Sequence, residues 1–335
     1  MELIAGDIGG TKSWLVWMRD GAVTPRFEKV YSSADFASGE ALLARFIEEA
    51  GQSAHPDTLT LALPGPLAAR RVSLTNLDWT LDADALGSAL DLPRVQFVND
   101  FQAQAAGVAT LGADDVLTLN AAPAVPSGVR AITGAGTGLG LAFMTAGDDG
   151  QYLSHATEAG HADFAPANAL QGRLLDHLRQ RYGHVSWERV VSGSAFNDLY
   201  RFGCLEAGRP QPDVPIDGAT LTDRASAGDA VAAATLDLFV DLYGAWVGNV
   251  ALLYQPFGGL YIGGGVATHL VARLRAPQFM RAALDKGRMR GVVERTPIHL
   301  ITCARLGVQG AVALARAQPD SYAFNSNTAV TRSGT

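Results

Sequence analysis

The sequence predicts an α/β protein made of two copies of one fold, with a ligand cleft between the copies. Three observations predict it. A glycine turn, DIGGTK at Asp7 to Lys12, sits between the strand-like runs ELIAG and SWLVWM. A second, TGAGTGLG at Thr133 to Gly140, sits between VRAI and LGLAFM and repeats the design of strand, glycine-threonine turn and strand. Around both turns, short β-branched runs alternate with longer segments of helical periodicity.

In chain order the pattern predicts three strands to about Ser33, a helix near Glu40 to Ala50, a strand at Thr58 to Leu63 and a β-like segment at Val72 to Thr75. A helix near Asp84 to Leu90, the strand Val95 to Val98 and a helix from Phe101 follow. Strands restart at Val116, Ala131 and Leu139, and the remainder reads as mainly helical apart from Leu260 to Gly263 and Ile298 to Thr302. Between Ala230 and Tyr254, Leu236, Phe239, Val240, Tyr243 and Val247 recur near helical spacing, which predicts an amphipathic helix buried between layers. Asp237, Asp241 and Asn249 interrupt that stretch and make it too polar for a membrane span.

The turns carry the first chemical hint. Glycine lacks a Cβ, tolerates positive φ and lets backbone N–H groups converge on an anion. In the first turn Gly9 and Gly10 form the bend, Thr11 offers a hydroxyl to a phosphate oxygen, and Asp7 is suited to a hydrated Mg²⁺, which takes few carboxylates and keeps its waters. The turn matches neither the GxxxxGK[ST] loop nor the GxGxxG fingerprint, since a strand follows it rather than a helix. An ordinary glycine hairpin is the competing reading, and the repetition at Thr133 argues against it. Between the two turns, Asn99 and Asp100 end the run VQFV and open a helix. Asp100 is placed either to cap that helix or to act as a carboxylate base, and with two phosphate turns around it the layout is that of a kinase.

Composition narrows the alternatives. At 335 residues the chain exceeds what one core usually supports, so two domains are expected. A balance of 33 acidic against 26 basic residues gives a net charge of −7 without a basic run, which argues against nucleic acid or an anionic membrane as partner. Glu2 and Asp7 leave no basic region or long apolar stretch near the start, so no signal peptide is expected and the protein reads as cytoplasmic. The two cysteines, Cys204 and Cys303, have no CxxC spacing and read as buried small hydrophobes.

Taken together, DIGGTK, LPGPL at Leu63 to Leu67, TNLDW at Thr75 to Trp79, VNDFQAQA from Val98, TGAGTGLG, EAGHADFAP from Glu158, ERVVSG from Glu188 and GLYIGGGV from Gly259 resemble, in order and spacing, the bacterial glucokinases of the hexokinase and actin-like ATPase superfamily. The resemblance implies duplicated ribonuclease H-like domains with an interdomain cleft. It implies a small domain at 1–110 joined by a C-terminal helix at 305–318, a large domain at 111–304, and ATP-dependent phosphorylation of glucose to glucose 6-phosphate.

By the same resemblance ATP with Mg²⁺ meets Asp7, Gly9, Gly10, Thr11, Lys12, Gly136, Thr137, Gly138, Gly264 and Gly265, with Asp7 holding the metal through water. Asp100 is the base at the sugar 6-hydroxyl, and Asn99, Glu158, His161 and Glu188 bind the sugar with it. Asn99 brings both an acceptor and donors. Glu158 and His161, three apart across Ala159-Gly160, face one side of a tight turn. Taken singly these residues also fit a surface carboxylate, a satisfied core imidazole and, for Glu188, an ion pair with Arg189. A homodimer is implied as well.

Three departures stand out. Ala135 occupies a position where the family commonly has proline, Ser194-Ala195 stands where Pro-Gly is common, and no cysteine lies between Ala162 and Gly203, so the zinc of the related ROK sugar kinases is not expected. Other readings are a kinase for mannose or glucosamine, a sugar-responsive regulator on the same fold, which would need a DNA-binding helix-turn-helix, and an assembly or chaperone ATPase, which would not need the sugar set. The segment from Pro319 to Thr335, rich in Ser, Asn and Thr, is expected to be poorly ordered.

Overall fold

The computed structural model describes residues 1–51, 55–65, 70–74 and 77–317. Pro66 and Leu67 of LPGPL, Thr75 and Asn76 of TNLDW, and the expectations for residues 318–335 lie outside the described residues. The chain divides into two compact units, one of residues 1–108 together with 305 onward, the other of residues 109–304.

The first unit opens with β1 (Glu2–Ile8), β2 (Lys12–Arg19) and β3 (Phe27–Ser32), followed by α1 (Gly39–Ala50) and β4 (Thr58–Leu63). Next come the small hairpin of β5 (Arg71–Leu74) and β6 (Trp79–Asp82), then α2 (Ala83–Ala89), β7 (Arg94–Asn99) and α3 (Asp100–Gly107). Its five-stranded sheet runs β3-β2-β1-β4-β7, with β1, β4 and β7 parallel and β2 and β3 antiparallel. Alternation along the strands sends Ile4, Ile8, Leu15, Trp17 and Leu61 toward Leu42 and Phe46 of α1, and sends Leu3, Ala5, Val16 and Val98 to the opposite face. The central strand β4, TLTLAL, is buried throughout, as a strand covered on both faces must be. Ser38 caps α1 by accepting from Ala41 N–H, and Gly51 ends it in the left-handed region.

The second unit contains β8 (Val116–Asn120), β9 (Arg130–Ala135), β10 (Leu139–Ala146), β11 (Tyr152–Thr157), α4 (Ala169–Tyr182), α5 (Ala195–Glu206), α6 (Gly218–Ser226) and α7 (Ala230–Tyr254). After these come β12 (Gly259–Gly263), α8 (Gly265–His269), α9 (Val271–Leu274), α10 (Pro277–Leu284), α11 (Arg290–Glu294) and β13 (Ile298–Ile301). Its sheet runs β11-β10-β9-β12-β13-β8, with β9, β12 and β13 parallel. The last helix, α12 (Leu306–Arg316), belongs to the first unit, where Val308, Ala311 and Leu314 cover Leu3, Ala5 and Val16.

The α/β class is as the sequence predicts, with four differences. Strands β6 and β11 were not expected: WTLD is short, and YLSHAT is mostly small or polar and is held as a strand by its ladder to β10. The helix Ala230–Tyr254 is apolar nearly all round rather than amphipathic, because α5, α6, α10 and α11 pack against it. By length and composition it could cross a membrane, yet most of it is buried inside the protein. Cys204 is buried, but Cys303 is only half-buried.

Candidate active site

In the first unit the site residues gather at the C-terminal edge of the parallel strands, where open α/β sheets take their ligands. Asp7 pairs in register with Ala62 of β4, which pairs with Val98 of β7, so Asp7 and the Asn99-Asp100 pair stand two strands apart, about 10 Å. The Gly9–Lys12 turn is closed by Gly9 N–H donating to the Lys12 carbonyl at 2.9 Å. Ser33 bolts it down, donating its hydroxyl to the Gly9 carbonyl at 2.7 Å and its N–H to the Thr11 carbonyl at 3.1 Å. Thr11 and Lys12 are exposed, and Gly9 and Gly10 partly so. Neither glycine adopts positive φ, so what they supply here is lack of bulk rather than a left-handed turn.

Asp7 is the electrostatically unusual member. Its carboxylate has no hydrogen-bond partner among the described residues, and burial pushes its pKa up to about 6. Gly307 of α12 backs onto it so closely that a Cβ there would lie 2.7 Å from Asp7 Cγ. A part-buried, unpaired carboxylate in a cradle only glycine allows fits one direct or water-mediated link to a Mg²⁺ whose remaining ligands are water and phosphate. No group of three or more His, Cys, Asp or Glu suited to a metal occurs among the described residues, so a caged, all-protein metal site has no candidate there.

The cap of α3 falls to Asn99 and not to Asp100, for which the sequence offers either a cap or a base role. Asn99 Oδ1 accepts from Phe101 N–H at 3.0 Å and from Gln102 N–H at 3.1 Å, while Nδ2 donates to the Gly65 carbonyl at 3.3 Å. Its acceptor is therefore committed to the helix, which leaves an amide N–H in place of the acceptor-donor pair expected from sequence. Asp100 begins the helix, half-buried, with Oδ1 accepting from Phe101 N–H at 2.9 Å.

In the second unit the predicted residues converge on Leu139, the first residue after the second glycine turn. Glu188, in the 3-10 turn Trp187–Arg189, accepts the Leu139 N–H through Oε2 at 2.9 Å. Gly138 is where the two segments touch: a Cβ there would collide with the Glu188 carboxylate. The turn Ala159–His161 packs against the Leu139 carbonyl through Gly160 and carries Glu158 and His161, both exposed, with His161 Nε2 and Glu158 Oε2 4.0 Å apart. Arg189 stacks on the Tyr182 ring at 4.1 Å, so the alternative ion pair with Glu188 does not form.

Gly136 and Gly138 are partly exposed and Thr137 fully exposed on the turn. The late glycine run adjoins them: Gly134 pairs with Gly263, and Gly264, at φ 88°, approaches the Ala135 backbone to within 2.9 Å of a virtual Cβ. Gly265 opens α8 in the open. Gly193 N–H donates to the Gly136 carbonyl at 2.7 Å, tying ERVVSG to the turn. Sequence reasoning missed Ser33, Gly193 and Gly307 as supports, since nothing local to serine or glycine names a partner far along the chain.

A family model described as glucokinase matches residues 4–318. The chain is 34% identical to a glucokinase of Synechocystis over 94% of its length and 98% of that protein, and 36% identical to one of Nostoc over 92% and 97%. A crystal structure of glucokinase from an Antarctic psychrotroph superposes with a TM-score of 0.82 at 28% identity, over 94% of this chain and 98% of that one. With the family model spanning nearly its whole length and such relatives matched end to end, the chain belongs to the glucokinase family.

Proposed function

We propose that the protein transfers the γ-phosphoryl group of ATP to the 6-hydroxyl of glucose, with Asp100 as general base. The convergence of Glu188, the Glu158–His161 turn and the Gly136–Gly138 turn on Leu139 carries this reading. A sugar-binding carboxylate and a phosphate turn are there built on one backbone unit. The units are two copies of one fold. In support, β3-β2-β1-β4-β7 and β11-β10-β9-β12-β13 repeat one strand order, and in each the glycine turn joins the same two strands.

The chemistry asks for position and charge control more than covalent work. Glu158, His161 and Glu188 hold sugar hydroxyls, assisted by the Asn99 amide. Asp100, whose Oδ1 accepts from Phe101 N–H, takes up the hydroxyl proton as the sugar oxygen bonds to phosphorus and the bond from phosphorus to ADP breaks. Backbone N–H groups of Gly9–Lys12 and Gly136–Gly138, with Gly264 and Gly265, receive the nucleotide. Asp7 would hold Mg²⁺ through water, and the ion would supply neutralisation of phosphate charge. The enzyme works in the cytoplasm as a homodimer, a reading that rests on family resemblance.

The test is ADP release coupled to a sugar panel of glucose, mannose and glucosamine, with Asp100→Asn as control. Glucose should lead the panel. ADP release no faster with glucose than without sugar would end this proposal.

A further inference from the structure

The second glycine turn is held from beneath by two aromatic side chains of α7 that no phosphate or sugar would touch. Tyr243 Oη accepts the Ala135 N–H at 3.2 Å, on the strand entering the turn. One turn of helix later, Trp246 Nε1 donates to Thr133 Oγ1 at 2.9 Å, and Thr133 Oγ1 donates in turn to the Gly140 carbonyl at 2.8 Å. The relay crosses from the strand entering the turn to the strand leaving it. Trp246 also packs on Trp187, ring centroids 5.7 Å apart, next in sequence to Glu188. Tyr243, Trp246, Thr133 and Ala135 are all essentially inaccessible to solvent.

Helix α7 is otherwise apolar along this stretch, and leucine or phenylalanine would fill the same space. Two polar tips aimed at the backbone and hydroxyl of one turn therefore act on that turn's geometry. A phosphate cradle binds through backbone N–H directions, which tilt when the strand ends supporting it shift. We propose that Tyr243 and Trp246 are positioning residues that set the nucleotide affinity of the Gly136–Gly138 turn. The idea rests on the reading that this turn receives ATP.

The test uses the full chain, with initial rates varied in ATP at saturating glucose and in glucose at saturating ATP, and calorimetric binding of the non-hydrolysable analogue AMPPNP. Tyr243→Phe keeps the ring and deletes the acceptor for the Ala135 N–H. It should raise the KM for ATP and the AMPPNP Kd about fivefold or more, while the KM for glucose stays within twofold. Trp246→Phe should act in the same direction.

Rescue separates positioning from mere core damage. Ala135→Pro removes the N–H itself and puts ring carbons where Tyr243 Oη lies, so alone it should impair nucleotide binding. Combined with Tyr243→Phe, the clash disappears while the bond is still missing, so AMPPNP affinity should recover from the Ala135→Pro value to that of Tyr243→Phe alone, the non-additivity of two changes to one contact that two independent packing defects would not produce. Unchanged AMPPNP affinity in Tyr243→Phe and Trp246→Phe would overturn the inference, as would an equal rise in both KM values with no rescue. Calorimetry reads the turn without turnover. A wild type that binds AMPPNP but fails to phosphorylate glucose would sink the proposed reaction while leaving this inference open to the same measurement.

Discussion

Gly307 presses on the carboxylate of Asp7, and Asp7 has no other polar neighbour among the described residues to repay the loss of water. The contact ties the first turn of α12 to the end of β1. It also makes the ionised form of Asp7 destabilising to the fold.

The pH dependence follows from that burial. Asp7 ionises near 3.8 when unfolded and near 6 when folded. Below 3.8 the group is protonated in both states and has no effect, and between the two values the folded state holds the proton more tightly, so stability falls as pH rises. Above about 6 the penalty is complete, at most about 3 kcal/mol. Asp7→Asn should therefore unfold at higher urea than wild type at pH 8, by roughly 1–3 kcal/mol, and the gap should close toward pH 4. The same variant should lose about 100-fold or more in kcat/KM for ATP. A gap that stays constant with pH would refute the assignment.

Gly307→Ala pits two effects against each other. Alanine normally gains roughly 0.5–1 kcal/mol over glycine in a helix interior and less in a first turn, where Gly307 lies, whereas overpacking costs about 1–3 kcal/mol. With Asp7 in the way the second effect wins, so we expect a lower melting temperature together with weakened nucleotide binding. A stabilised, fully active variant would show that the contact relaxes freely.

Asp100→Asn should lower kcat by about 10²- to 10⁴-fold, or about 3–5 kcal/mol of barrier, with the KM for glucose little changed. Melting temperature is the control, since Asn99 rather than Asp100 carries the cap. A drop confined to KM would reassign Asp100 from base to sugar contact.

Glu188 holds the Leu139 N–H and is proposed to bind the sugar, and two substitutions separate the two. Glu188→Gln keeps an acceptor for the Leu139 N–H, so the fold should hold within about 1 kcal/mol while the KM for glucose rises at least about tenfold. Glu188→Ala orphans that N–H and should cost roughly 1–3 kcal/mol of stability as well. Wild-type glucose kinetics in Glu188→Gln would leave Glu188 with its structural duty alone.

What could be read from the sequence was local. Strand, glycine-threonine turn and strand is a short-range pattern, and Asn99-Asp100 at the end of an apolar run marks a strand end without knowledge of any partner. Contacts between distant segments were not legible. Glu188 reaches Leu139 across 49 positions and Tyr243 reaches Ala135 across 108, and neither separation leaves a periodic trace. The cap cannot be apportioned from sequence because Asn and Asp compete for it on equal chemical terms, and only the backbone extended at Asn99 decides. Strand β11 was missed for a related reason, since its residues become a strand by pairing with β10.

The return of α12 to the first unit has a consequence for how the chain acquires its shape. Leu3, Ala5 and Val16 are synthesised about 300 residues before the residues that cover them, Val308, Ala311 and Leu314. The second unit, by contrast, is continuous in sequence. It can be completed during synthesis while one face of the first sheet still lies bare. Asp7 waits on that same event: until Gly307 arrives, its carboxylate is hydrated and ordinary, so the site acquires its charge environment only when the body of the first unit is sealed.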